Sequence, residues 1–233
     1  MKLFFLWLLV TGICFGTEDP RTLSFKWHGK AIRQLKIAEL EKLIPPEEIK
    51  VWEPHEDQDR VYRGFRMKTL LDTIYGERWK KAEEILFTCQ DGYQPSLPRN
   101  RFENFSSVLA YSRPGSAKFE VTNRFQNHET VNLAPFYLVW DNRTVPELKA
   151  LGGEGWPYQV TTIDFVDFTE KFPHMAPPNT ASESAKRGFG VFRAKCQACH
   201  TVNGEGGVKG FELNYPVNVT EYFEKRLSQA MDH

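Results

Sequence analysis

The sequence predicts an α+β domain, with a mixed sheet and helices, followed by a small all-α domain at the C-terminal end. Strand-like and helix-like segments are interleaved as far as residue 168, and the strands are more numerous. Residues 173–183 then combine Pro, Ala, Ser and Thr without apolar periodicity, which is typical of a linker. The 233 residues are enough for one medium domain and one small domain. We therefore predict domains at residues 17–172 and 184–233.

The first 16 residues have the pattern of a secretory signal peptide. Lys2 precedes an apolar run at residues 3–10, and small residues stand near a cleavage point after Gly16. The run is too short to span a bilayer as a permanent helix, so we expect no transmembrane segment in the mature chain. Export to the periplasm, or otherwise out of the cytoplasm, is the expectation. A retained N-terminal anchor is the alternative, because Lys2 is the only positive charge before the run.

The elements of both domains are predicted from the spacing of apolar residues. Alternating or uniformly apolar segments predict strands at residues 22–27, 49–52, 84–89, 135–140 and 158–168. Apolar residues three and four positions apart predict helices at residues 36–44, 67–75 and 102–111, the second of them ending before Gly76. In the smaller domain, helices are predicted at residues 184–195 and 219–230.

The charge pattern narrows the classes of partner. Lys and Arg together number 30, as do Asp and Glu, so the formal net charge is zero. Nucleic acids and anionic membranes attract proteins with an excess of positive charge, so we expect no nucleic-acid partner.

Residues 55–59 place His55 beside Glu56, Asp57 and Asp59. Such a run is more often a solvated loop than a metal cluster, and we expect a loop.

Residues 196–200 read Cys-Gln-Ala-Cys-His and form the most informative motif of the chain. Residues three apart lie on one face of a helical turn, so Cys196 and Cys199 can both form thioether bonds to one porphyrin. His200 then stands where its imidazole binds the iron from the proximal side. A redox dithiol or half of a zinc site are the alternatives. However, no strand pattern precedes the motif, and the chain has no second cysteine pair.

The residues around this motif resemble the class I cytochrome c family. Gly188 and Phe192 precede the motif as in the family's first helix, a glycine-rich loop follows at residues 201–207, and Gly210-Phe211-Glu212-Leu213 stands where the family has Gly-Pro-x-Leu. The resemblance implies one covalent haem c and electron transfer to redox partner proteins. It also implies that the carbonyl of residue 211 accepts a hydrogen bond from the ligand histidine. Phe211 in place of Pro is a departure from the family, but any residue has a carbonyl, so we expect this role to survive with less rigidity.

The cysteine motif does not identify the second axial ligand of the iron. Relatives supply a Met on a loop well after the motif, whereas here Met231 lies at the end of a predicted helix. His174, Met175 and His233 are further donors of a suitable type. A truncated reading frame, or a ligand from elsewhere, is favoured over Met231. An iron without this ligand would be open to small molecules.

The larger domain resembles, in reduced form, the molybdopterin-binding domain of the sulfite oxidase family. The likeness lies in three blocks at residues 61–71, 87–93 and 135–140, within a match over residues 23–168. The resemblance implies that Cys89 binds molybdenum through its thiolate, with molybdopterin as the cofactor. A buried, small apolar residue is the alternative for Cys89. The basic residues near the pterin phosphate would be Arg99, Arg101 or Arg113.

Three functions follow from these observations. The first is an exported c-type cytochrome that transfers electrons, with the upstream domain as a docking or scaffold module. The second is a molybdenum-dependent oxidoreductase in which a metal at Cys89 passes electrons to the haem. The third is a haem-based ligand sensor with an open iron site. The first is favoured. We therefore expect an electron-transfer protein rather than a catalyst, with a molybdopterin oxidoreductase as the second choice.

Overall fold

The computed structural model of the protein describes residues 21–215. The predicted signal peptide at residues 1–16, the predicted helix at residues 219–230 and the candidate ligands Met231 and His233 lie outside these residues. No helix within the described range is long and apolar enough to cross a bilayer.

Strands and short helices alternate along the chain. The strands are β1 Thr22–Trp27, β2 Lys30–Lys36, β3 Glu47–Glu53, β4 Gln58–Arg66, β5 Glu84–Cys89, β6 Ser96–Pro98, β7 Ser107–Ser112, β8 Glu120–Asn123, β9 Glu129–Asn132, β10 Tyr137–Trp140, β11 Val160–Val166, β12 Thr201–Val202 and β13 Glu205–Gly206. The helices are α1 Ile37–Leu43, α2 Met67–Tyr75, α3 Arg99–Asn104, α4 Pro146–Ala150, α5 Phe168–Lys171 and α6 Glu183–Lys195, and a 3-10 helix covers Gly76–Lys81.

Two larger sheets build the upstream domain. The first has the order β2-β1-β11-β5-β6, and the pair β1 and β11 is parallel while the others are antiparallel. The second is antiparallel and has the order β10-β7-β4-β3. β5 ends at Cys89, so its last residue and the turn after it lie at one edge of the fold. A mixed sheet with helices was predicted, and both features are confirmed.

The core lies between these sheets and α2. It contains fully buried aromatic side chains from β1, β4, β5, β10 and β11, and α2 adds four buried residues on one face. A helix with apolar residues three and four apart buries such a stripe. The largest members of the core are Trp79, Trp140, Tyr62, Tyr137, Phe25, Phe65, Phe87, Phe102, Phe136 and Phe165.

The predicted helix at residues 102–111 is wrong in its second half. α3 ends at Asn104, and residues 107–112 form β7, which pairs with β10 on one side and β4 on the other. Residues 107–111 are all buried, as expected for a central strand. Apolar spacing alone does not separate a short buried strand from a helix, because both faces of such a strand are apolar. The strands β2 and β4 were not predicted either.

The smaller region begins after a stretch without helix or strand at residues 173–182. α6 starts at Glu183, where the Ser182 hydroxyl accepts a hydrogen bond from the Ala185 amide as an N-cap. A short hairpin of β12 and β13 follows. Phe189 and Phe192 of α6 pack on a small apolar cluster that includes Met175. The two regions therefore share an apolar contact besides the linker.

Candidate haem attachment site

The cysteine motif forms a tight turn at the C-terminal end of α6. The Cys199 amide donates to the Cys196 carbonyl at 3.0 Å, and the His200 amide donates to the same oxygen at 2.9 Å. Both thiols are free and half-buried. Because the turn is helical, the two cysteines and the histidine are held within one turn of backbone, as attachment to a single porphyrin requires.

The His200 ring is oriented by a backbone carbonyl. Its Nδ1 lies 2.8 Å from the Phe211 carbonyl oxygen, which can only accept a hydrogen bond. Nδ1 is therefore the donor of this hydrogen bond, and Nε2 is left as the ring nitrogen available to bind a metal. The expected partner of the ligand histidine, residue 211, thus performs this contact although Phe replaces Pro. The Phe211 ring itself meets the imidazole edge to face at 5.1 Å.

Glycines let the loop after the motif close against it. A Cβ at Gly210 would lie 2.6 Å from Cε1 of the His200 ring, and a Cβ at Gly207 would overlap the Ala198 carbonyl oxygen. Gly206 has φ +122, which L residues rarely adopt, and a Cβ there would overlap the His200 carbonyl. The glycine-rich loop is therefore required sterically, because any side chain would push the loop away from the motif.

The motif is docked on the turn that follows β5. The Gln94 amide donates to the Ala198 carbonyl at 2.7 Å, and the Val208 amide donates to the Gly92 carbonyl at 2.9 Å. An ion pair between Lys209 Nζ and an Asp91 carboxylate oxygen, at 2.6 Å, lies beside these bonds. The turn after Cys89 thus contacts the haem motif and its loop directly.

Side chains of α6 add further contacts to the upstream domain. Arg193 pairs with Glu84, and its guanidinium lies over the Phe168 ring, 3.6 Å from the centroid. Lys195 Nζ lies 2.6 Å from a Glu154 carboxylate oxygen. Since the latter pair is largely exposed, it adds little stability, whereas the half-buried Arg193 contact combines charge with packing.

Cys89 is part of the hydrophobic core. Its side chain is 3% exposed, and burial, aided by the nearby Asp91 charge, raises the pKa of the thiol well above its usual range. A thiolate is the form that ligates a soft metal. Cys89 does not line the cavity beside Cys199. This packing fits a buried apolar thiol better than an open metal ligand.

The three arginines suggested for a pterin phosphate have separate partners. Arg99 pairs with Glu103, and Arg113 donates to the Glu120 carbonyl. Arg101 stacks on Trp140 with 4.3 Å between its guanidinium carbon and the ring centroid, and burial lowers the pKa of Arg101. Each of the three side chains therefore has a different protein partner.

The acidic run at residues 55–59 is dispersed among separate partners. Glu56 pairs with Arg60, Asp57 with Arg124, and Asp59 with Lys50. No group of three or more His, Cys, Asp or Glu residues able to hold a metal occurs in the described part of the chain. The expected solvated loop is found only in part, because Asp59 lies in β4, His55 is buried and the Glu56 side chain is 7% exposed.

His55 belongs to a buried network around Glu53, a residue that the sequence did not single out. Glu53 is fully buried and its carboxylate accepts hydrogen bonds from His55, Tyr62 and Tyr137. Burial would raise the pKa of Glu53, but the hydrogen bond and charge of His55, together with Tyr62, lower it below its usual range. The sequence does not reveal that Glu53 is buried, because a charged residue in a strand has the pattern of a position that faces solvent.

Comparison with known proteins identifies the smaller region. Residues 185–232, which include the motif and Met231, match the family model for cytochrome c. A search of curated proteins found no significant match to the chain. The match agrees with the helical cysteine turn, the oriented histidine and the close glycine loop. This part of the chain is therefore a cytochrome c domain, a kind of domain that carries covalently bound haem c and acts in electron transfer.

Proposed function

We propose that the protein is an exported electron-transfer protein, with haem c bound to Cys196 and Cys199 and with His200 as the proximal ligand. The observation that carries the proposal is the hydrogen bond from His200 Nδ1 to the Phe211 carbonyl. This bond leaves Nε2 as the metal-binding nitrogen of a ring that is already held in place. A bound haem supplies an iron that accepts and donates one electron at a time.

In this proposal the upstream domain is a docking module for the cytochrome c domain. Support comes from the two backbone hydrogen bonds and the Lys209–Asp91 ion pair between the turn after β5 and the haem motif. These contacts hold the motif at a defined place on the larger domain. The same surface would then orient the haem toward a redox partner protein.

Haem content tests the proposal directly. The full chain is expressed in a host that matures c-type cytochromes, purified from the periplasm, and measured by mass, haem staining after denaturing electrophoresis and metal content. One covalent haem and one iron per chain are expected. The double variant Cys196→Ser/Cys199→Ser should carry none, while the matched control Cys89→Ser should keep its haem. Covalent haem in the double variant would contradict the assignment.

The same metal analysis separates the docking role from the molybdenum alternative. No molybdenum is expected in the purified chain. Stoichiometric molybdenum that disappears in Cys89→Ser would overturn the docking role and establish the oxidoreductase instead. Recovery of the chain only from the cytoplasm would contradict export.

The second axial ligand is part of the proposal and has its own test. Met231 lies in the matched family region, so we expect the ferric spectrum to show the weak absorption of a methionine–iron bond. Met231→Ala should abolish this band and open the iron to carbon monoxide. An unchanged spectrum in the variant would exclude Met231. A five-coordinate iron in the unmodified chain would favour the ligand sensor.

A further inference from the structure

Glu212 follows Phe211, the residue whose carbonyl oxygen accepts the hydrogen bond from His200 Nδ1. That carbonyl belongs to the peptide group between Phe211 and Glu212, and a peptide group is planar. The direction of the carbonyl is therefore fixed only when the plane of this peptide group is fixed. Any restraint on Glu212 thus acts on the hydrogen bond that orients the histidine ring.

The backbone on either side does not fix this plane by itself. The amides of Gly210 and Leu213 are hydrogen-bonded at 2.6 and 2.9 Å, but neither belongs to the peptide group that contains the carbonyl. The Phe211 ring is 68% exposed, so its packing holds the backbone only weakly. Phe211 also lacks the ring closure with which proline restricts φ. The peptide group can therefore still tilt between two residues that are held.

The Glu212 carboxylate supplies the additional restraint. It accepts hydrogen bonds from the backbone amides of Asn203, Gly204 and Asn214, at 3.0, 2.9 and 3.0 Å. Burial would raise the pKa of Glu212, but the hydrogen bonds from the Gly204 and Asn214 amides lower it below its usual range. The carboxylate is therefore ionised at neutral pH, and hydrogen bonds to an ionised acceptor are about twice as strong as neutral ones.

The turn to which Glu212 binds is itself anchored. Asn203 and Gly204 connect β12 to β13 and have φ values of 56° and 76°, and a two-residue turn of type I′ requires positive φ at both positions. The Asn203 side-chain NH2 donates to the His174 carbonyl at 2.7 Å, and its oxygen accepts from the Asn214 side chain at 2.8 Å. The carboxylate is therefore tied to a hairpin that is held from two sides.

We propose that Glu212 is a positioning residue for the proximal ligand of the haem iron. Its carboxylate holds the Phe211 carbonyl in the direction that preserves the hydrogen bond from His200 Nδ1. An imidazole that donates a good hydrogen bond through Nδ1 is a stronger base at Nε2, the nitrogen that binds the iron. The inference rests on the proposed function, because it assigns a role in haem ligation. The hydrogen bonds described for the carboxylate go to backbone amides and not to His200, so Glu212 acts through the backbone.

Exchange of the His200 Nδ1 proton with solvent tests this role. NMR in deuterated water compares the haem-loaded full chain with the variant Glu212→Gln. The substitution keeps the length of the side chain but replaces one carboxylate oxygen with an NH2 group that cannot accept a hydrogen bond. Exchange should become about tenfold faster, the effect expected when about one hydrogen bond is lost. The midpoint potential should rise, because a weaker base at Nε2 stabilises the ferric iron less.

Glu205→Gln is the matched control for charge. Glu205 lies in the same hairpin and loses the same negative charge, but its carboxylate binds His174 and not the segment at residues 210–214. This variant should leave the exchange of the His200 proton unchanged. The pair of variants therefore separates positioning by Glu212 from the effect of a negative charge near the haem.

The Leu213 amide reports in the same spectra on whether the loop is still folded. It donates to the Thr201 carbonyl, and its exchange should be the same in Glu212→Gln and in the unmodified chain. Three results would overturn the proposal. They are unchanged exchange of the His200 proton in Glu212→Gln, equally fast exchange in Glu205→Gln, and loss of protection at Leu213. The last result would assign Glu212 to the folding of the loop and not to the orientation of the histidine.

Haem content, measured on the same samples, distinguishes failure of this inference from failure of the proposed function. An unmodified chain without haem would contradict the proposed function. The tautomer of His200 in that haem-free full chain, read from the nitrogen chemical shifts, then tests Glu212. The form protonated at Nδ1 should predominate in the unmodified chain, and Glu212→Gln should contain both forms. The same tautomer in both chains would overturn the inference.

Discussion

The upstream domain and the cytochrome c domain are held together by different means. The first has a continuous core in which ten large aromatic side chains are almost completely inaccessible. In the described part of the second, α6 buries no residue, while Val208 is 64% and Phe211 68% exposed. Close glycine contacts, backbone hydrogen bonds and ion pairs hold that segment, together with the partly buried Phe189 and Phe192. The comparison shows that a short segment can be shaped by its backbone while its apolar surface is left for another group to cover.

The largest effect is expected from breaking the upstream core. Phe165 is fully buried and contacts Tyr75, Trp79 and Trp27. Phe165→Ala should lower the free energy of unfolding by about 4 kcal/mol, because a cavity replaces a ring in a packed interior. Urea unfolding followed by tryptophan fluorescence measures this. A loss of less than about 1 kcal/mol would mean that the core is not the main source of stability.

The next largest effect is expected from a substitution that disrupts the backbone contacts of the cytochrome c domain. Gly207→Ala places a Cβ onto the Ala198 carbonyl, so the loop cannot close on the motif. Most covalent haem should be lost, as measured by haem staining, while the urea midpoint of the upstream domain stays the same. Gly190→Ala is the control, since Gly190 lies in α6 without a positive φ and a Cβ there meets no atom within 4 Å. Equal haem content in both variants would contradict the steric argument.

A smaller effect is expected from the polar part of the upstream core. Glu53→Gln keeps the size of the side chain but removes the charge that accepts from His55, Tyr62 and Tyr137. We expect a loss of about 2 kcal/mol in unfolding free energy. The glutamine amide has an NH2 group in place of one carboxylate oxygen, and this group cannot accept the hydrogen bonds that the surrounding side chains donate. Urea unfolding at pH 7 is the measurement. Tyr62→Phe, which removes one donor, should cost about half as much.

The pH dependence of unfolding gives a finer test of the same residue. The pKa of Glu53 is lowered in the folded protein from an ordinary value of 4.5. Its contribution is therefore complete above pH 4.5 and is lost as the pH falls through the lower, folded value. Stability of the unmodified chain should fall in this acid window, and Glu53→Gln should show a shallower fall. Parallel curves would mean that Glu53 is not ionised in the fold.

The smallest effect concerns the exposed ion pair between the two domains. Lys195→Ala breaks the contact with Glu154, and both side chains are largely in solvent. Unfolding free energy should change by less than about 0.5 kcal/mol, because such pairs are screened. The matched change Arg193→Ala removes a half-buried pair and a contact over Phe168, and should cost more. An equal loss of unfolding free energy in Lys195→Ala and Arg193→Ala would contradict the expected difference between the exposed and the half-buried pair.

Local patterns predicted more of the haem site than of the buried network around Glu53. The spacing of Cys196, Cys199 and His200 identified the attachment turn, because the chemistry depends on neighbours in sequence. The strand at residues 107–112 was mistaken for part of a helix, since its partners β4 and β10 are distant in the chain. The contact of Glu53 with His55 is local, but Tyr137, which donates to the same carboxylate, is 84 residues away. One sequence does not display such a tertiary contact, so the network was missed.

The hydrogen bond from the Gln94 amide to the Ala198 carbonyl has a consequence for access to the motif. It connects the upstream domain to the middle of the cysteine motif, so the docked domain covers part of the peptide between the two cysteines. Access to this peptide from solvent therefore depends on how the two domains are docked.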